Sequence, residues 1–156
     1  MDKNFLRYFI QSDEMYNCHM RLNLARGLIG LTILWNLQAA LAFLVWPERY
    51  INAFELDGIV GSAMLRGLGV LFVMWNIPYL VALWHPVRYR VSLYEALAMQ
   101  TIGLLGEGLI YLSLTAIDTA LRASLARFMA FDGLGLALLL ISVWITRDIF
   151  VKIKNQ

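Results

Sequence analysis

The sequence predicts an all-α fold: an integral membrane four-helix bundle with both termini cytoplasmic and an amphipathic, interfacial N-terminal helix. Three observations predict it. Of the 156 residues, 60% are hydrophobic and only 15% charged, well away from the balance of an ordinary globular domain. Four segments approach the ~20 mostly apolar residues a helix needs to cross ~30 Å of hydrocarbon. The lysines and arginines flanking those segments are divided unequally between two sides. One four-span domain, 1–156, uses the whole chain.

At the amino end, "DKNFLRYFIQSDEMY" groups Phe5, Leu6, Phe9 and Ile10 on a helical wheel, with charges elsewhere. A helix lying in the bilayer interface or docking on a partner has this pattern, and residues 1–25 are assigned to it. Asp2, Lys3, Arg7, Asp13 and Glu14 precede any long apolar run, unlike the charge, apolar stretch and cleavage-site order of a signal peptide. The first span is therefore expected to remain in the mature protein.

The spans are 27–46, 67–84, 93–114 and 128–146, each bounded by arginine on at least one side. Short connections make successive spans antiparallel neighbours. Between the first two, "PERYINAFELDGIVGSAMLR" mixes Phe54, Leu56, Ile59 and Val60 with Glu48, Glu55 and Asp57. It is too polar to span and too apolar for a solvated loop, so a short outer-surface helix over the bundle mouth is expected. Orientation follows from the basic residues, which accumulate in cytoplasmic flanks. Lys3, Arg7, Arg21, Arg26, Arg88, Arg90, Arg147, Lys152 and Lys154 fall on one side and only Arg49, Arg66, Arg122 and Arg127 on the other. Both termini are thus expected in the cytoplasm of a multi-pass protein of the cell membrane, the inner membrane if the source is bacterial.

"RGLIGLTILWN" from Arg26 and "RGLGVLFVMWN" from Arg66 nearly repeat at an offset of 40. Each arginine can snorkel to headgroups while the aromatic residues at the exits mark the other interface. Ten residues at ~1.5 Å each carry the chain ~15 Å inward, half of a ~30 Å core. Asn36 and Asn76 are therefore expected near the midplane of antiparallel spans, as an inverted repeat of single helices, facing inward to bond another helix or to line a site. Pro78 frees the carbonyl of Met74 and predicts a kink.

In the third span, Gln100, Gly103, Glu107 and Tyr111 share a face. An ionisable group at the depth of Glu107 is costly and marks a functional-site hypothesis. Three readings stay open for it: a hydrogen-bonded structural acid, an ion or proton site, or contact with a partner or small ligand. Asn36, Asn76, Gln100 and Glu107 together make a candidate midplane polar site. Asp132, placed in the opening turns of the fourth span, is expected to pair with Arg66 at the outer mouth, with Arg127 as the alternative.

Several chemistries find no residues. A net charge of +2 gives no basic surface for nucleic acid. Cys18 is the single cysteine and cannot form an intramolecular disulfide, and no Cys/His set has metal-ligand spacing. His19 and His85 lie outside the spans, which excludes haem held by two histidines within the membrane. The sequence has no Gly-x-Ser-x-Gly, no His-Glu-x-x-His and no phosphate-binding glycine loop. No catalytic residues are assigned, the chain is read as no enzyme, and no cofactor is required.

The arginine opening the first span, the glycines and leucines after it and "WNLQ" at Trp35 to Gln38 resemble the DoxX-like group of small bacterial four-helix membrane proteins. That resemblance implies an accessory role beside redox or quinone-linked membrane enzymes, with no catalytic residues to carry over. The leading functional expectation is a non-catalytic accessory or structural membrane protein that associates with other membrane proteins, with itself as a homo-oligomer, or with apolar cofactors. Two alternatives stand beside it. One is a small ion- or proton-coupled transporter or channel using the midplane polar site. The other is a quinone- or lipid-binding protein walled by Trp35, Trp75 and Tyr111.

Overall fold

The computed structural model describes the backbone of residues 3–115, 117 and 119–154, and side chains from residue 16 onward except those at 116, 118, 148 and 150–156. Four helices follow one another: α1 (Lys3–Val45), α2 (Gly58–Trp84), α3 (Arg90–Ser113) and α4 (Thr119–Lys154). Each contains a stretch long and apolar enough to cross a membrane: Tyr16–Val45, Gly58–Trp84, Arg90–Ser113 and Thr119–Arg147. The neighbours are α1 with α2, α2 with α3, α3 with α4 and α4 with α1. The backbones of the diagonal pairs, α1 with α3 and α2 with α4, do not approach closely, and these helices meet only through side chains such as the Phe72–Phe128 ring pair of α2 and α4. The start of α1 and the end of α4 lie at one end of the bundle, the terminal end, and residues 46–57 and the end of α3 lie at the other, the hairpin end.

The helix α1 runs unbroken from Lys3 to Val45, so residues 3–25 and the first span belong to one helix. The side chains of Phe5, Leu6, Phe9 and Ile10, which carry the expected amphipathic face, lie outside the described residues. Pro47 ends α1, since a residue before proline is pushed out of the helical region; Trp46 has φ −129° and ψ 50°. The expected surface helix is two single 3-10 turns, Pro47–Arg49 and Ile51–Phe54. Glu55 closes the second turn in the left-handed region, at φ 55°. Residues 58–66, expected in that connection, instead form the first turns of α2. Hydropathy alone excludes them from a span, but their backbone bonds continue the helix.

The two repeated arginines both have partners within the protein. Arg26 Nε donates to the Leu83 carbonyl at 3.0 Å, satisfying the open C-terminal turn of α2. Arg66 pairs with Glu48, just past the end of α1, at 3.3 Å. Each thus ties its own helix to the exit of the other. Between those ties, α1 and α2 approach closely at Gly69, where a Cβ would stand 2.9 Å from Leu44 Cγ and 3.0 Å from the Ala40 carbonyl oxygen. Small residues permit such backbone approach.

The core lies toward the terminal end, where Ile29 and Ile33 of α1, Tyr79 and Ala82 of α2, Leu93 and Ala96 of α3, and Leu139 of α4 pack together. At the hairpin end the packing is aromatic: the Phe43 ring meets Tyr50, Phe54, Phe72 and Phe128 at centroid separations of 5.4–6.1 Å. Outside, the apolar surface continues. Ile102, Leu105, Leu109 and Leu112 of α3 are 63–80% exposed, a patch of the kind that soluble monomers avoid.

Candidate functional site

One chain of polar groups crosses three helices inside the bundle. Tyr79 Oη, on α2, donates to Gln100 Oε1, on α3, at 2.5 Å. Gln100 Nε2 donates to Asp132, on α4, reaching Oδ1 at 3.0 Å and the backbone carbonyl at 3.3 Å. Tyr79 and Gln100 are buried, at 2% and 5% exposure. A buried amide left unmatched is costly, and here both ends of the Gln100 amide find partners. The chain also links α2 to the diagonal helix α4, as the Phe72–Phe128 ring pair does nearer the hairpin end.

Two glycines make room for it. A Cβ at Gly103 would stand 2.6 Å from Asp132 Oδ2, and a Cβ at Gly135 would stand 2.9 Å from Gln100 Nε2 and 3.2 Å from Thr32 Cγ2. Glycine costs ~1 kcal/mol relative to alanine inside a helix, so these positions exchange helix stability for close packing around the polar chain.

Asp132 also forms the floor of a cavity of about 480 Å³ between α1, α4 and the two 3-10 turns. The α4 side is a stripe at positions i, i+3, i+4, i+7, i+8 and i+11: Ser124, Arg127, Phe128, Phe131, Asp132 and Gly135. The α1 side is the matching stripe of Thr32, Trp35, Asn36, Ala39 and Phe43. Trp35 and Phe131 meet edge to face at 5.7 Å. Arg49, Tyr50, Ala53 and Phe54 close the hairpin end. That rim is tied to α4, because Ser124 Oγ donates to the Ala53 carbonyl at 2.5 Å and Arg127 donates to Ser124 Oγ at 3.0 Å. The Leu121 amide donates to the Glu55 carboxylate at 3.3 Å.

The residues expected to form one midplane site are dispersed. Gln100 lies in the polar chain, and Asn36 lines the cavity. Asn76 is fully buried and donates to the Phe72 carbonyl of its own helix at 2.7 Å, while its Oδ1 has no partner. The two asparagines therefore do not bond to one another. Glu107 buries Oε2 without a partner, with the Asp132 carboxylate within electrostatic reach. These residues do not converge, because α1 and α3 are diagonal: Asn36 and Glu107 belong to helices whose backbones do not approach closely.

The expected pair of Arg66 with Asp132 does not form. Arg66 bonds Glu48, Asp132 bonds Gln100, and α2 and α4 are diagonal. Asp132 is not in an opening turn either, since α4 begins at Thr119 and the aspartate stands thirteen residues further on. Of the aromatic walls expected for a lipid-soluble ligand, only Trp35 lines the cavity. Trp75 stacks on Phe72 at 6.1 Å, and Tyr111 lies under the Arg122 guanidinium at 4.3 Å. Sequence reasoning missed Tyr79 and the α4 stripe. The stripe was present as spacing, but only for a helix drawn from Thr119 instead of Phe128.

Among the described residues no group of three His, Cys, Asp or Glu side chains could hold a metal ion. No family model, curated protein or solved structure matches the chain. The functional reading rests on the geometry of the cavity and its polar floor.

Proposed function

We propose that this is a multi-pass membrane protein of non-catalytic, accessory type that holds a lipid-soluble molecule in the cavity between α1 and α4. One observation carries the reading: a cavity of about 480 Å³ whose walls are aromatic and whose floor is the Asp132 end of the Tyr79–Gln100–Asp132 chain. Small-molecule sites are of this kind, about 300–1,000 Å³, mostly apolar, with a few fixed polar groups. The exposed apolar faces of the four helices support insertion in a bilayer, and the distribution of basic residues supports cytoplasmic termini, with the cavity toward the outer leaflet. An accessory role beside quinone-linked enzymes, implied by the DoxX-like resemblance, fits a protein that holds such a molecule without reacting with it.

The test is solvent extraction and mass spectrometry of protein purified from its own membranes. The wild-type protein should yield one apolar species enriched over bulk lipid. Ala39→Trp, which fills the cavity from α1, should lose it while eluting as the same monodisperse particle. Equal recovery from both proteins, or no enrichment in either, would overturn the reading.

A second reading rests on Glu107. A buried carboxylate oxygen without a partner, with a second carboxylate on the facing helix, suits a coupling-ion or proton site. Proteoliposome flux abolished by Glu107→Gln would support it, and absence of flux for protons, sodium and potassium would sink it.

A further inference from the structure

Resting on the cavity reading above, we infer that the occupant is an amphipathic acid, with its carboxylate or phosphate head at Arg49 and Arg127 and its apolar body running down toward Asp132. The charges lining the cavity are divided along its length. Arg49 and Arg127 stand toward the hairpin end, and Asp132 lies about 1.4 turns deeper than Arg127 on α4, about 7.5 Å at 1.5 Å per residue. Both arginines are exposed, and neither is paired with a carboxylate among the described residues.

The contrast with other arginines is informative. Arg66 is occupied by Glu48, Arg26 by the Leu83 carbonyl, and Arg122 by the Leu114 carbonyl at 2.8 Å. Arg127 gives one donor to Ser124, and a guanidinium has five. Arg49 rests over the Trp46 ring, 5.5 Å from its centroid, a contact with the ring face and not with a hydrogen-bond acceptor. Arginine forks of this kind recognise carboxylate and phosphate.

The opposite end sets the orientation. An anionic head placed at the floor would meet the Asp132 carboxylate, and a neutral head at the rim would gain only the weaker hydrogen bonds of an uncharged acceptor. Between rim and floor, Trp35, Phe43, Phe54, Phe128 and Phe131 supply the apolar wall. The same head chemistry could come from a free anion such as inorganic phosphate. The aromatic wall favours a molecule with an apolar body, and the test below separates the two.

Trp35 reports occupancy when it is the only tryptophan, with Trp46, Trp75, Trp84 and Trp144 changed to phenylalanine. The protein is placed in nanodiscs of phosphatidylcholine and titrated with 9,10-dibromostearate or with the matching dibromostearyl alcohol, whose bromines quench on contact. The acid should quench Trp35 at about tenfold lower mole fraction than the alcohol, the size expected when charge-assisted hydrogen bonds are gained. Arg49→Gln with Arg127→Gln should remove that advantage and leave the alcohol curve unchanged. Millimolar inorganic phosphate should not displace the acid.

Equal quenching by acid and alcohol would overturn the anionic head while leaving the cavity reading intact. Displacement by phosphate would overturn the amphipathic occupant in favour of a free anion. Quenching by neither compound beyond that of a cavity-filled Ala39→Phe control would overturn both.

Discussion

Replacing Gly135 by alanine tests whether the Tyr79–Gln100–Asp132 chain holds the bundle together. The new Cβ would stand 2.9 Å from Gln100 Nε2, whereas ordinary contact begins at 3.4 Å, so the amide must retreat by about half an ångström. Gly135 lies on the same helix as Asp132, so a retreat from Gly135 moves the amide away from both of its acceptors. Adding that half-ångström to the present 3.0 and 3.3 Å carries both bonds to the limit of hydrogen bonding or past it.

Interhelical hydrogen bonds in membranes are worth about 0.6–2 kcal/mol each, so losing two costs about 1–4 kcal/mol. Alanine returns about 1 kcal/mol of helix propensity. Gly133 supplies the control, because a Cβ there meets nothing within 4 Å and the propensity gain is the same. Gly135→Ala should therefore lie about 2 kcal/mol below Gly133→Ala in reversible unfolding in mixed micelles of rising SDS fraction, within the range set by those bonds. In the Gln100→Ala background the difference should shrink, since the clashing amide is gone. Equal stability of the two alanine variants would refute the argument.

Two further perturbations separate strong contacts from weak ones. Arg66→Gln removes an ion pair whose side chains are 54% and 62% exposed, so it should cost at most about 1 kcal/mol by the same unfolding assay; a loss of several kcal/mol would mean that Arg66 serves a buried acid after all. Phe128→Ala removes a ring packed against Phe43, Phe54 and Phe72 and should cost about 3 kcal/mol, as large-to-small changes of aromatic residues do. A cost below about 1 kcal/mol would show that the ring cluster does not hold the hairpin end closed.

The parts of the site differ in how readable they were. Gln100 was recognisable because an amide among apolar residues needs a partner wherever it sits. Its partners are not: nothing in the spacing of α2 singles out Tyr79, and Asp132 reads as an acid in an opening turn. The misplacement of Asp132 has a local cause. "TALRASLAR" carries two arginines, so an apolar window excludes it, yet its alanines and leucines are good helix formers and extend α4 to Thr119. That shift moves Asp132 from the rim of the bundle to the floor of its cavity.

By itself the sequence determined the class of architecture: four helices apolar enough to face lipid, short connections that make successive helices antiparallel, and buried polar groups that must bond inward. Those are consequences of composition and order along the chain. Only the tertiary structure decided which polar groups meet. In a four-helix square the backbone of each helix approaches two neighbours and stands off from its diagonal, which only long side chains can reach. Arg66 is thereby kept from Asp132 and Asn36 from Glu107, while Tyr79 reaches Asp132 through Gln100. Partnership depends on lateral arrangement and helix rotation, and one-dimensional spacing carries neither.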